Sequence, residues 1–561
     1  MGTLKCFIAF FFIFLMGVPA QGYVSSRTAD GSYVKWPGIP KMNLAGNPLN
    51  KSGLTHDYVY QAAVRSLFRW KQSSGNLLNF DYWQGTHSQV FETNSNYNGQ
   101  NSLYFASQSG QGMDSNVIGL TQVWYDTQSG EILETDMVFN DLTYQFTSNP
   151  QDSSSNGNSR VFFENVLTHE LGHAFGLSHS GNLQSTMLFI EAHEQNHLSC
   201  DDHAGIRALY GGSAYSGSVS ISGKVIAPDG RGLHGAHLVA VSQDRGVAIA
   251  SSMSDASGNY VIDALPPGNY VIYAEPFYAG AESLSGYYRG INTKVCSGKE
   301  FGRTFLRGSN GALKAVSAQQ RVSVESLTVD CTGGASVSPV GGSSFSSAYS
   351  VPIRYDRFAL TDQVRPGAAR YYRFEDVEGK LQVSLLGYSL YSPLALAAEL
   401  IDEGGRALDV SIQQPVFTGV SGYSNYDVKV SAEGLPLGDY TLKVYTSYLS
   451  QDRFPAGRVS TDSNPFLVMV GALNPPPVSF GNLYPENGRC EFKENFPAYQ
   501  SPGGLPPRKF DDESENVGFC GTLSGPTSTP PGAIFGWFVP WLFMLFIFVD
   551  QRRRSFRSSL H

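Results

Sequence analysis

Two hydrophobic periods run along this chain. After Thr55, the residues Val59, Ala62, Ala63, Leu67 and Trp70 recur at three- and four-residue steps, which predicts one buried face of an α-helix. A second helix is predicted over Val161 to Phe175, with Val166, Leu167, Leu171, Ala174 and Phe175 turned inward. Between them, Glu134 to Asn140 reads as a strand ending in the apolar pair Val138-Phe139. From about residue 216 to 330 the pattern changes to short strands broken by Gly and Pro turns, and a similar pattern fills 345–475. Residues 476–531 are rich in Pro and Gly, hold few apolar runs, and read as a linker.

The two ends follow neither period. Residues 1–20 place Lys5 before an apolar run from Cys6 to Val18 and close on Val18-Pro19-Ala20, the layout of a secretory signal cut after Ala20. Residues 532–561 begin with an uncharged stretch from Gly532 to Val549 and continue into Arg552, Arg553, Arg554 and Arg557. This predicts a transmembrane segment with its arginines on the cytoplasmic side and everything upstream outside. Together with Cys520-Gly521-Thr522 and the Ser/Thr/Pro stretch before it, the end resembles the C-terminal sorting tails of Gram-negative bacteria. Both a cleaved sorting signal and a permanent anchor fit that layout.

Composition narrows the class. A chain of 561 residues has room for three or four domains. With 41% hydrophobic residues it is not mainly disordered. Six Cys are too few for a disulfide scaffold, and a net charge of −9 argues against nucleic acid as a partner. Removing both ends would take away Lys5, the four arginines and Asp550, leaving a still more acidic exterior protein. Cys296 with Cys331, and Cys490 with Cys520, are candidate disulfide pairs, although sequence alone does not fix the pairing.

The chemistry sits on the second helix. His169-Glu170-Leu171-Gly172-His173 places two imidazoles one turn apart, where both can reach one Zn²⁺. Glu170 lies beside them, positioned to take a proton from water. Gly176 can end the helix at positive φ, so the chain can turn back and deliver His179 as a third ligand. Three His leave a fourth metal position open, a catalytic rather than a structural arrangement. A second copy of the spacing, His193-Glu194-Gln195-Asn196-His197 with His203, has Cys200 where the first has Gly176 and has polar flanks. It reads as a solvated loop, with His203 opening a further helix from Asp201 to Tyr210.

His169-Glu170-x-x-His173-x-x-Gly176-x-x-His179 followed by Met187 resembles the metzincin zinc endopeptidases, and within them the matrixins, the matrix-metalloproteinase family. The resemblance covers about residues 23–213. It implies His169, His173 and His179 as zinc ligands, Glu170 as general base, and Met187 as the turn beneath the metal. It also implies that Glu134 to Asn140 is the edge strand over the cleft, with Glu134, Asp136, Val138 and Asn140 contacting an extended substrate. The implied reaction is metal-assisted hydrolysis of peptide bonds in protein or peptide substrates. Asp114, Asp126 and Asp136 are candidate oxygen ligands for Ca²⁺. Matrixins are often held latent by a pro-segment Cys, yet the only Cys before the motif is Cys6, inside the signal.

Residues 220–275, with Ser254 to Tyr260 and Leu265-Pro266-Pro267-Gly268-Asn269-Tyr270, resemble the carboxypeptidase regulatory-like β-sandwich. Residues 350–445, with Gly379-Lys380-Leu381 and Leu437-Gly438-Asp439-Tyr440, resemble the bacterial pre-peptidase C-terminal β-sandwich. The expected order is a signal peptide at 1–20, an α+β zinc-protease domain at 21–213 built on a twisted, mainly parallel sheet, β-sandwich modules at 216–330 and 345–475, a linker at 476–531 and a transmembrane tail at 532–561. The expected function is an exported or surface-anchored zinc endopeptidase. The alternative is a catalytically weak or inactive zinc-binding adhesion protein.

Overall fold

A computed structural model describes residues 23–43, 50–75, 78–83, 97–106, 116–150, 160–191, 195–211, 218–277, 286–288, 291–331, 340–352, 358–413, 427–449, 465–471, 483–486, 489–492 and 519–525. The expected signal and transmembrane segments lie outside the described residues. Among the described residues, no helix is long and apolar enough to cross a membrane.

The chain is multidomain and mostly β. Its first part holds strands β1 (Lys41–Asn43), β2 (Asp81–Trp83), β3 (Asn101–Phe105), β4 (Val117–Tyr125) and β5 (Ile132–Phe139), and helices α1 (His56–Ser73), α2 (Phe163–Ala174) and α3 (Cys200–Tyr210). The sheet runs β2-β1-β3-β5-β4 and ends on a further strand, Phe519–Gly525. Only the β4–β5 pairing is antiparallel.

Helix α1 starts where the pattern placed it. Thr55 accepts a hydrogen bond from the Tyr58 amide, and Val59, Ala62, Ala63, Leu67 and Trp70 are all buried. Their target is α2. The Trp70 indole N–H donates to the Thr168 carbonyl at 2.9 Å, and the Ser66 and Thr168 hydroxyls meet at 2.8 Å. At the start of α2, burial opposes ionisation of Glu164, but Arg69 and Arg65 outweigh it and hold the carboxyl below its ordinary range. Every residue of α2 is buried, with Phe105, Phe139, Phe146 and Phe163 clustered behind it.

The second region is a two-sheet sandwich over Val219–Thr328. The strands of 345–475 are hydrogen-bonded into one network of seven, and a single buried cluster joins Val351 and Phe374 in one half to Val383 and Val468 in the other. Two long strands, Ala369–Leu386 and Val428–Leu449, run through it as one ladder with register shifts between Phe374 and Lys380. Asp376 (φ +55°) and Gly379 (φ +82°) sit at those shifts, so bulges rather than a sheet break bend the ladder.

The regions pack together. One buried cluster joins Val24, Leu183 and Leu188 to Met253, Tyr288 and Tyr388, and another joins Val239 and Val271 to Leu386 and Leu467. Cys296 and Cys331 form a disulfide as expected. Cys200 is also disulfide-bonded. Of the tail cysteines, Cys490 lies on a strand (Arg489–Phe492) that packs against α3, and Cys520 lies on the strand beside β4.

Residues 476–531 are therefore not wholly a linker. They supply a hairpin, Leu483–Glu486 with Arg489–Phe492, and the edge strand of the first sheet. Strand pairing uses main-chain groups and can form without an apolar run, which is why the composition of this stretch did not reveal it.

Candidate metal centre

The two helical His residues of α2 and the His after it converge. His169 Nε2 lies 3.0 Å from His173 Nε2, which lies 3.2 Å from His179 Nε2. Among the described residues this is the one group of three or more His, Cys, Asp or Glu side chains able to hold a metal ion.

The chain turn that delivers His179 depends on Gly176. Its φ is +93°, and an added Cβ would stand 2.0 Å from the Val34 carbonyl oxygen. The Gly176 amide donates to the His173 carbonyl and the Leu177 amide to that of Gly172, closing the helix end.

Outer hydrogen bonds set the ring tautomers. His169 Nδ1 donates to the Thr186 carbonyl at 2.7 Å, and His173 Nδ1 to the Leu177 carbonyl at 2.9 Å. That leaves Nε2 of each ring as an acceptor facing the common centre. Burial favours the neutral rings, pushing His169 down to about 4 and His173 well below its ordinary value. Converging lone pairs repel one another unless a cation lies between them. Three nitrogens about 2.0–2.1 Å from one zinc ion at tetrahedral angles would stand about 3.3 Å apart, close to the spacing seen. The donor set fits Zn²⁺.

Glu170 faces β4. The Thr121 hydroxyl lies 2.6 Å from Glu170 Oε2 and 3.0 Å from the Glu170 carbonyl oxygen. Gly119 lets the strand come this close, because a Cβ there would stand 2.7 Å from Glu170 Oε1 and from Val166.

Met187 lies under α2 and is fully buried. A Cβ on Gly172 would be 2.2 Å from its sulfur. Asp202 at the start of α3 fixes this turn, accepting from the Thr186 amide at 2.7 Å and the Ser185 hydroxyl at 2.5 Å while closing a capping box with Ser199.

Residues 53–211 match the matrixin family model. Matrixins are zinc metallopeptidase-type hydrolases, and the His triad lies inside the matched stretch. Residues 220–285 match the carboxypeptidase regulatory-like domain. No curated protein matches the chain. Solved structures similar to it include the major pilin BcpA of Bacillus cereus, at 11% identity over 41% of this chain and 59% of the pilin, with a TM-score of 0.12. Another is the major pilin SpaD of Corynebacterium diphtheriae, at 10% identity over 43% of this chain and 59% of that one, with a TM-score of 0.13. The chain thus spans about six-tenths of the length of these pilins, and TM-scores this low set no common fold.

The region that matches the matrixin model departs from expectation at three places. Glu134, Asp136, Val138 and Asn140 were expected at the sheet edge, but β5 lies between β3 and β4, and all four are buried. Glu134 accepts from the Asn98 and Gly99 amides and Asp136 from the Ser102 amide, so their carboxylates face the sheet interior. Strand β4 borders α2 instead. Its sequence, Val-Ile-Gly-Leu-Thr-Gln-Val-Trp-Tyr, alternates too weakly to show which strand stands outermost.

Calcium finds no support among the described residues. Asp114 lies outside them, Asp126 accepts the Gln128 and Ser129 amides of its own turn, and burial raises Asp136 to about 8.

The second His spacing is not a solvated loop. His193 and Glu194 lie outside the described residues. Gln195 and Asn196 are buried, with the Gln195 amide donating to the Thr186 and Leu188 carbonyls at 2.7 and 2.9 Å. His203 lies within α3 and bonds Ser73 through Nδ1. Polar side chains here brace the metal centre from below, a role that only contacts across the fold reveal.

Proposed function

We propose that the first region is a zinc-dependent endopeptidase acting on exported or cell-surface proteins, with His169, His173 and His179 as metal ligands and Glu170 as general base. The carrying observation is the convergence of three imidazole Nε2 atoms beside a carboxylate whose second oxygen is held by Thr121. Zn²⁺ bound there would supply Lewis acidity to water and to the scissile carbonyl. Thr121 orients Glu170 so that Oε1 can take the proton of the attacking water. The water oxygen bonds to the carbonyl carbon, the C–N bond breaks, and Glu170 passes the proton to the leaving nitrogen. An extended substrate would add as a strand along the outer edge of β4, held by main-chain hydrogen bonds. Met187, pinned by Asp202, would support the ligand helix from beneath.

Export through residues 1–20, a sorted or anchored tail at 532–561, and accessory modules at 216–330 and 345–475 belong to the same proposal. Cleavage of casein by wild type, His179→Ala and His203→Ala, each with and without a chelator, tests it. The reading expects chelation and His179→Ala to abolish cleavage and His203→Ala to retain catalytic-site metal. Cleavage that survives His179→Ala and fails in His203→Ala would move the site to the second cluster.

A further inference from the structure

The outer edge of β4 is already filled by the chain itself. Residues Phe519–Gly525 run parallel to Val117–Trp124, with Cys520 opposite Gly119, Gly521 opposite Leu120 and Thr522 opposite Thr121. The same segment also packs against α2, the helix that carries His169, Glu170 and His173. Gly119 and Thr121 on β4 both approach Glu170, so residues 520–522 pair with the stretch of β4 that lies against it. His169, Glu170 and His173 have no exposed surface and His179 has 1%, so the centre is closed to a polypeptide.

We propose that the β4 edge is a strand-docking surface whose resident ligand is the C-terminal segment 519–525 of the same chain, which holds the cleft shut until the segment is displaced. This rests on the endopeptidase reading for its consequence, but not for the docking itself. A sheet edge offers one row of N–H and C=O groups, and two strands cannot use the same row. A peptide that adds to β4 must therefore expel residues 519–525. The segment is well placed for release. It is joined to the rest of the fold through the Pro/Gly-rich stretch 493–518, and a docked strand held at an effective concentration in the millimolar range competes with free peptide without needing high intrinsic affinity. The occupant of the β4 edge is thus supplied in cis, by residues 519–525.

Because the segment is the last strand of its sheet, alternate amides point toward β4 and away from it. Two full-length variants separate these sets: Gly521→Pro with Leu523→Pro, and Thr522→Pro with Ser524→Pro. Amide hydrogen exchange of residues 119–124 is read on the metal-free chain, and cleavage of a quenched peptide on the zinc-loaded chain. One variant should lose at least tenfold protection in β4 and cleave at least tenfold faster, while the other stays near wild type. A synthetic peptide of residues 517–527 should restore protection and slow cleavage in the released variant. Unchanged β4 protection in both variants overturns the docking. Lost protection without faster cleavage, in a chain that does cleave, overturns the closure. If no variant cleaves at all, the endopeptidase reading has failed, and exchange alone still decides the docking.

Discussion

Thr121 on β4 holds Glu170 on α2 by a hydroxyl placed 2.6 Å from Oε2, across 49 residues of sequence. A hydrogen bond to a charged group contributes about 1.5–3 kcal/mol. Thr121→Val keeps the shape of the side chain and removes that bond. We expect kcat for peptide cleavage to fall roughly ten- to a hundredfold with KM little changed, because the carboxylate loses its orientation rather than its place. Steady-state kinetics of Thr121→Val and Thr121→Ser check this, and the serine variant should recover most of the loss.

Gly172 is a packing residue. A methyl group there would press on the Met187 sulfur at 2.2 Å and the Trp70 ring at 2.8 Å. Helix propensity favours Ala over Gly by about 1 kcal/mol, while overpacking costs about 1–3 kcal/mol. Gly172→Ala should therefore destabilise, seen as a lower urea midpoint. Met187→Ala should recover part of that loss when combined with it, a coupling that a double-mutant cycle measures.

Glu191 makes stability fall with rising pH. It is buried, accepts a hydrogen bond from the Asn165 amide at 2.9 Å, and burial raises its pKa to about 7. The folded state binds the proton more tightly than the unfolded one. Its contribution is thus fully present below the ordinary carboxylate range and lost as pH rises through about 7. Glu191→Gln keeps the acceptor and removes the titration. Urea midpoints at pH 5.5 and 8.5 should differ less in Glu191→Gln than in wild type, and an equal difference would remove Glu191 from the account.

The Cys296–Cys331 disulfide closes a loop with a sequence separation of 35. Replacing both by Ser should cost about 2–4 kcal/mol, read as a lower Tm for the second region.

Sequence and structure agree where the determining contacts are local. The Thr55 cap, the buried face of α1 and the His169–His173 spacing depend on helical turns alone, and Gly176 on one backbone angle. The misses depend on order in space. Nothing in Glu134 to Asn140 says that another strand lies outside it, so β5 read as an edge. Thr121 and Asp202 act on Glu170 and the Met187 turn from other elements, where no motif spacing links them. Gln195 and Asn196 look like surface residues by polarity, but backbone carbonyls satisfy them inside the fold. The strand at Phe519–Gly525 pairs with β4 through main-chain groups, a contact that sets no hydrophobic period in the sequence.

The role of Glu170 is decided by Glu170→Ala, with zinc content and casein cleavage measured together in the unsubstituted chain and in the strand-released variant. About one zinc per chain should be retained, and cleavage should fall by at least a thousandfold in both backgrounds. Cleavage by Glu170→Ala at the rate of its parent, with the same zinc content, would contradict that role.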